Sequence, residues 1–403
     1  MKNIGGKKIL VIAAGDWQVP VIQKAQSMGL KVVATDRNPE APGLKIADFP
    51  EAVDIIDFEG TLEVARKHKV DGVITEQTDL AVPTAAYVAE KMGLPGVSYE
   101  AAMSATNKWL MRERCKKAGI PMPEYRKVEN LDEAASAAED IGFPVIVKPV
   151  DNQGSRGVRK VENHKDLEEC YNLARSHSRE NSVLIEEFLV GIESTVEGFV
   201  NDGEVYVLAI SDKKHLPPPH CVAVSLTYPP AFPEHVISEI ESWNIKTVRA
   251  LGITMGITHA EFMLTNKGPY LIEIASRGGG TRISTHIILA VSGVDVIEGL
   301  IHQCLGERFE VGNRASNAAI LEFFILPPGR VKNMNGVSEA RRIAGIIEVN
   351  FQVAPGDVIG VIDADRVRPG FFIATAKTRH EVLMIAEKVK SMVKVEMESP
   401  DEG

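Results

Sequence analysis

Two glutamates, Glu261 and Glu273, have the spacing that most directly suggests chemistry in this sequence. They lie in two apolar, strand-like runs at 260–264 and 270–274, which flank a Thr-Asn-Lys-Gly segment that favours a turn. A turn centred on Lys267 makes the two carboxylates cross-strand neighbours, ~4.5–5.5 Å apart, where they repel each other. A hard divalent cation such as magnesium, which takes oxygen ligands, would turn that repulsion into binding. The alternative is a solvated sheet face that carries two charges.

A second group of residues is suited to phosphate. Lys148 lies toward the end of the strand-like run PVIVKPV, which leads into DNQGSRGV with Gly154, Ser155 and Gly157. Glycines let backbone N–H groups approach phosphate oxygens, and the lysine supplies positive charge. The segment is not a P-loop, because no Gly-Lys-Ser/Thr follows. The alternative is an ordinary turn.

An acidic segment follows, in which Glu186, Glu187, Glu193 and Glu197 crowd the otherwise apolar stretch EEFLVGIESTVEG. Backbone N–H and C=O groups of such a segment can bind a purine edge, while its carboxylates take an exocyclic amine and ribose hydroxyls. The alternative is an exposed acidic hairpin.

Two more basic residues complete the set of candidates. Lys108 begins the helix-like run 107–119, at the helix end that favours anions. Arg277 precedes three glycines, Gly278–Gly280, whose N–H groups beside a guanidinium suit a carboxylate or an acyl phosphate. A solvated helix lysine is the alternative for Lys108.

The elements that would position these residues begin with residues 7–98, where short β-like runs alternate with helix-like stretches. This alternation predicts a parallel, doubly wound sheet. Asp36 ends the second strand, where a dinucleotide-binding fold places its ribose-binding acid. The preceding loop has only Gly15 where the dinucleotide fingerprint needs three glycines, so the pattern favours a nucleotide-type fold without an NAD site.

Pro121 and Pro123 stop the helix at 105–119 and mark a boundary. The pattern then predicts a compact α+β unit to about residue 200, a β-rich segment to Val207, and a proline-rich loop at 211–220. A mixed segment at 315–403 ends with a helix at 381–393.

Composition limits the classes of protein. The 403 residues suffice for two or three domains, and no run approaches the ~20 apolar residues of a membrane helix. The formal charge is −10 without a basic tract, which argues against a nucleic acid partner. The four cysteines are scattered, and the first apolar run is too short for a secretory signal, so we expect a cytoplasmic protein with reduced thiols.

The ordered set of Lys108, Lys148, GSRG, EEFLVGIE, HAEF and IEIASRGGG resembles the ATP-grasp superfamily of ATP-dependent carboxylate-amine ligases. The resemblance covers nearly the whole chain. It implies a parallel-sheet pre-ATP-grasp α/β domain at 1–98 and an ATP-grasp domain at 106–304. Within the latter, about 121–190 form a mobile nucleotide-clamping subdomain, and the C-terminal ligase segment at 315–403 packs on the core.

The resemblance also implies a role for each candidate, with ATP and Mg2+ as cofactors. In sequence order, these are phosphate contacts from Lys108 and Lys148, a closing loop at Gly154, Ser155 and Gly157, an adenine amine contact from Glu186, ring contacts from the backbone of Glu187 and Leu189, a ribose contact from Glu193, magnesium ligation by Glu261 and Glu273, and acyl phosphate binding by Arg277. Lys148 and Arg277 are the expected catalytic pair.

One position departs from the family pattern, which usually has Glu-x-Asn after the second ligand. Here Ala275 takes the place of asparagine. Strand alternation puts Ala275 on the same face as Glu273 and turns Ser276 away. We therefore expect a magnesium contact to be lost or supplied by water.

The resemblance implies a ligase that activates a carboxylate as an acyl phosphate and couples it to an amine. Lys213, Lys214 and His220 of the proline-rich loop would help shape the acceptor site. GDWQVPVIQKA, VDGVITEQTDLAVP and GITHAEF look most like stand-alone amino acid ligases and carbamoyl phosphate synthetase-like proteins. A phosphoribosylglycinamide synthetase-type enzyme and an ATP-binding module without turnover are the alternatives. The expected partners are small-molecule carboxylates and amines and, in a homodimer, a second copy of the chain, with neither nucleic acid nor membrane.

Overall fold

The computed structural model describes residues 4–217, 222–312 and 314–398. Its first unit is a parallel sheet in the order β3-β2-β1-β4, which confirms the predicted doubly wound start. The strands are β1 (Lys8–Ile12), β2 (Lys31–Thr35), β3 (Phe49–Glu51) and β4 (Gly72–Thr75), and the helices are α1 (Val19–Ser27), α2 (Pro42–Ile46), α3 (Phe58–His68) and α4 (Val82–Met92). Asp36 accepts a hydrogen bond from Ala14 N at 3.0 Å, so its carboxylate closes the loop after β1.

The run 105–119, predicted as one helix, is divided into α5 (Tyr99–Thr106) and α6 (Lys108–Lys117). Asn107 lies between them in extended conformation, and its side chain accepts from Leu110 N at 3.1 Å. This N-cap breaks the helix because it satisfies one of the first free N–H groups of α6. Lys108 is consequently the first residue of α6, as predicted.

A small antiparallel sheet with the order β5-β8-β6-β7 follows, and two helices pack on it. Its elements are β5 (Tyr125–Val128), β6 (Val145–Pro149), β7 (Arg159–Val161), β8 (Val183–Glu187), α7 (Leu131–Ile141) and α8 (Leu167–Ser176). Val147 and Ile185 point into the core under the helices. Since side chains alternate along a strand, Lys148 and Glu186 emerge on the opposite face.

The rest of the chain forms an eight-stranded antiparallel sheet, β13-β12-β9-β10-β11-β14-β18-β16, and a three-stranded sheet, β17-β15-β19. The strands are β9 (Ile192–Asn201), β10 (Glu204–His215), β11 (Ala223–Tyr228), β12 (Gly256–Thr265), β13 (Gly268–Ala275), β14 (Ala318–Phe324), β15 (Gly329–Asn335), β16 (Ile346–Phe351), β17 (Val358–Ile359), β18 (Gly370–Ala376) and β19 (Lys394–Glu398). The helices are α9 (Glu234–Leu251), α10 (Ile288–Ser292), α11 (Val296–Cys304), α12 (Val337–Ala340) and α13 (Arg379–Met392).

The structure confirms the predicted late helix and shortens the predicted proline-rich loop. The late helix is confirmed as α13, whose first turn is fixed by a capping box between Thr378 and Glu381. The proline-rich loop was predicted to begin at Ser211, but β10 continues to His215 and pairs with β11. The prediction was wrong there because paired neighbours stabilise a polar strand that has little intrinsic strand signal. His220 lies outside the described residues.

In the described ranges, no single helix has both the length and the apolar character to cross a membrane. The segment Ile283–Ser292 and α11 meet that test only when taken together, as a pair bent by 116°.

Candidate functional site

The hairpin of β12 and β13 places Glu261 directly opposite Glu273, which confirms the predicted pairing. The turn itself is shorter than predicted, because Thr265 already pairs with Gly268. On that register alone Glu261 would face Ile272. A bulge advances the partner by one residue and so returns both carboxylates to one face.

Each carboxylate of the pair is matched by a lysine. Lys108 Nζ lies 2.8 Å from Glu273 Oε1, and Lys213 Nζ lies 2.7 Å from Glu261 Oε1. Lys213 also reaches Glu193 Oε1 at 2.5 Å, so it joins the predicted ribose acid to a predicted metal ligand. Removal from water alone would lower the pKa of Lys213, but the charges of its two glutamates raise it.

Glu186 is the centre of a buried ion network that the sequence prediction did not include. Its Oε2 lies 2.6 Å from Lys148 Nζ, and its two oxygens accept from Arg112 at 2.9 and 3.1 Å. Arg112 is fully buried and also donates to the carbonyls of Leu271 and Ile272 at 3.0 and 2.8 Å. Burial alone would raise the pKa of Glu186, but the charges of Arg112 and Lys148 lower it to about 2. Both carboxylate oxygens are therefore engaged with cations, and the adenine contact stays a prediction.

Arg277 is held by Asp79, which lies just after β4 in the N-terminal sheet. Arg277 Nε and Nη2 donate to the two carboxylate oxygens of Asp79 at 2.7 and 3.0 Å, a bidentate pair. Nearby Gly278 is pressed against Glu76, because a Cβ built on this glycine would lie 2.1 Å from Glu76 Oε1. Burial raises the pKa of Glu76 to about 7. Sequence reasoning missed both acids, although polar residues after a parallel strand are a known sign of a site.

His259 borders the position of the missing asparagine. It pairs across the hairpin with Ala275, its Nδ1 lies 2.9 Å from Glu197 Oε2, and its Nε2 lies 3.6 Å from Glu261 Oε1. Burial alone would lower the pKa of His259, but the Glu197 carboxylate raises it to about 9. Ala275 lines the main cleft and Ser276 does not, which confirms the expected alternation.

The glycine loop borders the site, which Gly154 and Ser155 line. Gly154, Ser155 and Gly157 all have positive φ, between 58° and 74°. Gly157 is also packed closely, since a Cβ there would lie 3.0 Å from the ring of His177. At the base of the loop, Gln153 Oε1 accepts from the backbone N–H of Asp79 at 2.7 Å.

These elements enclose a cleft of about 640 Å³. All predicted site residues line it except Gly157, namely Lys108, Lys148, Gly154, Ser155, Glu186, Glu187, Leu189, Glu193, Glu261, Glu273 and Arg277. Of the residues expected to shape the acceptor site, Lys213 lines the cleft, whereas Lys214 is exposed on the other face of β10.

The donors present fit a magnesium ion that is shared with a ligand. Within the described ranges, no group of three or more His, Cys, Asp and Glu side chains could hold a metal by itself. Glu261 and Glu273 offer carboxylate oxygens on one face, and magnesium is typically bound by one or two carboxylates together with phosphates and water.

Two segments of the chain match known families. Residues 141–286 match the family model of the ATP-grasp domain, and residues 322–398 match that of the L-amino acid ligase C-terminal domain 2. An uncharacterized protein of Sinorhizobium fredii is 30% identical over 321 residues, which are 78% of this chain and 66% of the relative. The formate-dependent phosphoribosylglycinamide formyltransferase of Ignicoccus hospitalis is 26% identical over 405 residues, 96% of each protein.

Solved structures share the fold over nearly the full length. The L-amino acid ligase from Bacillus licheniformis superimposes with a TM-score of 0.85 at 23% identity, covering 98% of this chain and 100% of that one. Phosphoribosylglycinamide synthetase from Anaerococcus prevotii gives a TM-score of 0.77 at 20% identity with the same coverage.

Proposed function

Because the chain belongs to the ATP-grasp superfamily of ATP-dependent carbon-nitrogen ligases, we propose that it couples the carboxylate of an amino acid to an amine, releasing ADP and phosphate. The observation that carries the choice of an amino acid is the match of residues 322–398 to an L-amino acid ligase domain. This segment contributes Phe323, Arg366 and Phe371 to the wall of the cleft. It is therefore placed where it can select the substrate.

In this proposal the nucleotide lies between the two sheets. Lys148 on the small sheet and Lys108 at the start of α6 face the phosphates, and the glycine loop covers them. The backbone of Glu187 and Leu189 borders the adenine, and the Glu193 carboxylate accepts from the ribose. Closure of 121–190 over the nucleotide is part of the proposal.

Glu261 and Glu273 would hold the magnesium ion, which neutralises phosphate charge and aligns the γ-phosphate when bound. The protein's own part in the reaction is positioning and charge neutralisation. Lys108 and Lys213 keep the two carboxylates paired before the ligands arrive.

In this proposal Arg277 binds the acyl phosphate. A substrate carboxylate oxygen attacks the γ-phosphorus, the bond to the bridging oxygen breaks, and ADP leaves. The guanidinium, fixed by the bidentate pair with Asp79, is aimed at the acyl phosphate so formed. The amine then attacks the acyl carbon, phosphate departs, and the amine proton passes to phosphate or water.

The test is a screen for ADP release with ATP, Mg2+ and pairs of amino acids. We expect release that requires an amino acid, with mass spectrometry detecting the condensed product. Glu273→Gln should lower kcat by at least about 100-fold, a loss of ~2.7 kcal/mol of transition-state stabilisation, with a smaller effect on nucleotide affinity. Glu63→Gln on the exposed side of α3 is the matched control. ADP release that is indifferent to every amino acid would refute the proposal.

A second candidate is chemistry on phosphoribosylglycinamide or its precursor. The full-length match to the Ignicoccus hospitalis relative favours it. Two further arms of the screen test it, namely formate with phosphoribosylglycinamide, and glycine with phosphoribosylamine. Turnover only with formate excludes the first candidate, whereas turnover only with glycine and phosphoribosylamine identifies the amine. Ala275 motivates a third outcome, in which ATP binds without turnover under any pairing. The predicted homodimer is tested separately by sedimentation.

A further inference from the structure

Gln153 at the base of the glycine loop makes contacts that a simple turn does not need. Its Oε1 accepts from Asp79 N at 2.7 Å, and its Nε2 lies 3.4 Å from Thr78 Oγ1. Both partners belong to the segment after β4, and β4 lies in a different sheet from β6, the strand that leads into the loop. The neighbouring Asn152 carbonyl accepts from Lys108 Nζ at 2.6 Å. The loop base is therefore tied to two parts of the molecule at once.

Asp79 connects Gln153 to Arg277. Its backbone N–H binds Gln153, while its carboxylate holds Arg277 by two hydrogen bonds. The residue is buried, so a shift of its backbone moves the carboxylate as well. Arg277 in turn donates to the Gly278 carbonyl at 2.8 Å. A continuous path of hydrogen bonds thus runs from the glycine loop to the arginine and the glycine turn.

We propose that Gln153 is a positioning residue that, through Asp79, ties the glycine loop to the orientation of Arg277. This inference rests on the proposed function for its meaning in the reaction. The loop closes on the nucleotide and Arg277 faces the acyl phosphate, so the link aligns the arginine only when the loop base is in place. A residue that merely anchors the loop would affect nucleotide affinity and leave the carboxylate-dependent step unchanged.

The first test needs neither substrate nor turnover. Gln153→Met keeps the length of the side chain and removes the acceptor. Gln26→Met is the matched control, because it also removes the hydrogen bonds of a half-buried glutamine, here on α1 and donated to the Ile46 carbonyl and the Asp48 carboxylate. We expect backbone amide exchange in residues 276–280 to be at least about 3-fold faster in Gln153→Met than in the wild type, the equivalent of one lost hydrogen bond. Equal rates in the wild type, Gln26→Met and Gln153→Met would overturn the inference.

The second test uses the reaction. Gln153→Met should lower kcat about 3- to 10-fold and change the Kd for a non-hydrolysable ATP analogue by less than 2-fold. In an Asp79→Ala background, the same substitution should have no further effect on kcat, because the link is already broken. Additive losses, or a loss confined to nucleotide affinity, would contradict the positioning role. A wild type without turnover would refute the proposed function, and the exchange experiment would still decide the role of Gln153.

Discussion

Replacing Arg112 with methionine tests whether the buried ion network around Glu186 stabilises the cleft. The guanidinium is fully buried and donates to both oxygens of Glu186 and to two carbonyls of β13. Methionine fills a similar volume but leaves Glu186 with Lys148 alone. The variant therefore removes charge and hydrogen bonds with little loss of packing.

The expected loss follows from the pKa of Glu186. Its drop from an ordinary 4.5 to about 2 corresponds to about 3 kcal/mol of stabilisation at 1.36 kcal/mol per pKa unit, shared between Arg112 and Lys148. Breaking a buried pair from one side costs about 3–5 kcal/mol. Because the folded pKa is depressed, this stabilisation is present above pH 4.5 and is lost as the pH falls toward 2. The difference in stability between Arg112→Met and the wild type should accordingly become smaller as the pH falls from 4.5 toward 2.

Amide exchange of the β8 strand measures this local stability at pH 7 and, with the intrinsic rates corrected, at pH 3. Arg114→Met is the matched control, since Arg114 lies on the same helix but pairs with the exposed Glu100. We expect Arg114→Met to lower the local stability of β8 by less than about 1 kcal/mol. A loss below about 1 kcal/mol for Arg112→Met at pH 7, or the same loss at pH 3, would refute the reasoning.

Three further predictions concern other charges of the site. Glu76→Gln should make the free energy of unfolding less dependent on pH. The Glu76 carboxyl, whose pKa is raised to about 7, destabilises the fold by about 3 kcal/mol in total as the pH rises from 4.5 to 7. Urea denaturation at pH 5 and 8 measures this dependence, and an equal dependence in variant and wild type would contradict the prediction. Lys213→Met should tighten nucleotide-free Mn2+ binding at least about tenfold, ~1.4 kcal/mol, because Glu193 and Glu261 lose the ammonium group that they share. Electron paramagnetic resonance titration measures the affinity, and an unchanged value would show that the lysine does not compete with the metal. Ala275→Asn should tighten Mn2+ binding in the presence of ADP by about tenfold, ~1.4 kcal/mol, and an unaltered titration would place position 275 out of reach of the metal.

Sequence patterns predicted most of the elements that carry the site. The alternating N-terminal unit, the start of α6 at Lys108 and the pairing of Glu261 with Glu273 are all confirmed. The predicted turn was centred on Lys267, half a residue later than the turn in the structure. The pairing is nevertheless as predicted, because the bulge at Ile272 shifts the register by one residue. No residue type marks that bulge in the sequence, because a bulge depends on the neighbouring strand rather than on local preference.

The missed residues share a physical cause. Arg112 meets Glu186 from 74 positions away, and Asp79 meets Arg277 from 198 positions away. A charge in a helix or after a strand looks like an ordinary solvated side chain until its partner is known. Lys213 was assigned to a loop for a similar reason, since only pairing with β9 and β11 shows that it belongs to a strand. Long-range charge pairing is therefore the part of this site that local patterns could not supply.

The same pairing explains how the hairpin holds two directly opposed carboxylates. Lys213 neutralises Glu261 and Lys108 neutralises Glu273, so the hairpin carries no unpaired like charges. A divalent cation without nucleotide would have to displace both lysines from the hairpin carboxylates. Lys108 would then lose its carboxylate partner in a half-buried cleft and Lys213 would keep only Glu193, which is costly. In the proposed function, nucleotide without the cation would bring negative phosphate charge close to Glu261 and Glu273, and like charges repel. In the proposed function, the two hairpin carboxylates would bind the metal and Lys108 would face the phosphates, while Lys213 would keep its ion pair with Glu193. Binding both ligands together would then give each of these charges a partner. On the proposed function, we therefore expect metal and nucleotide to bind cooperatively, with Lys108 and Lys213 contributing to that cooperativity.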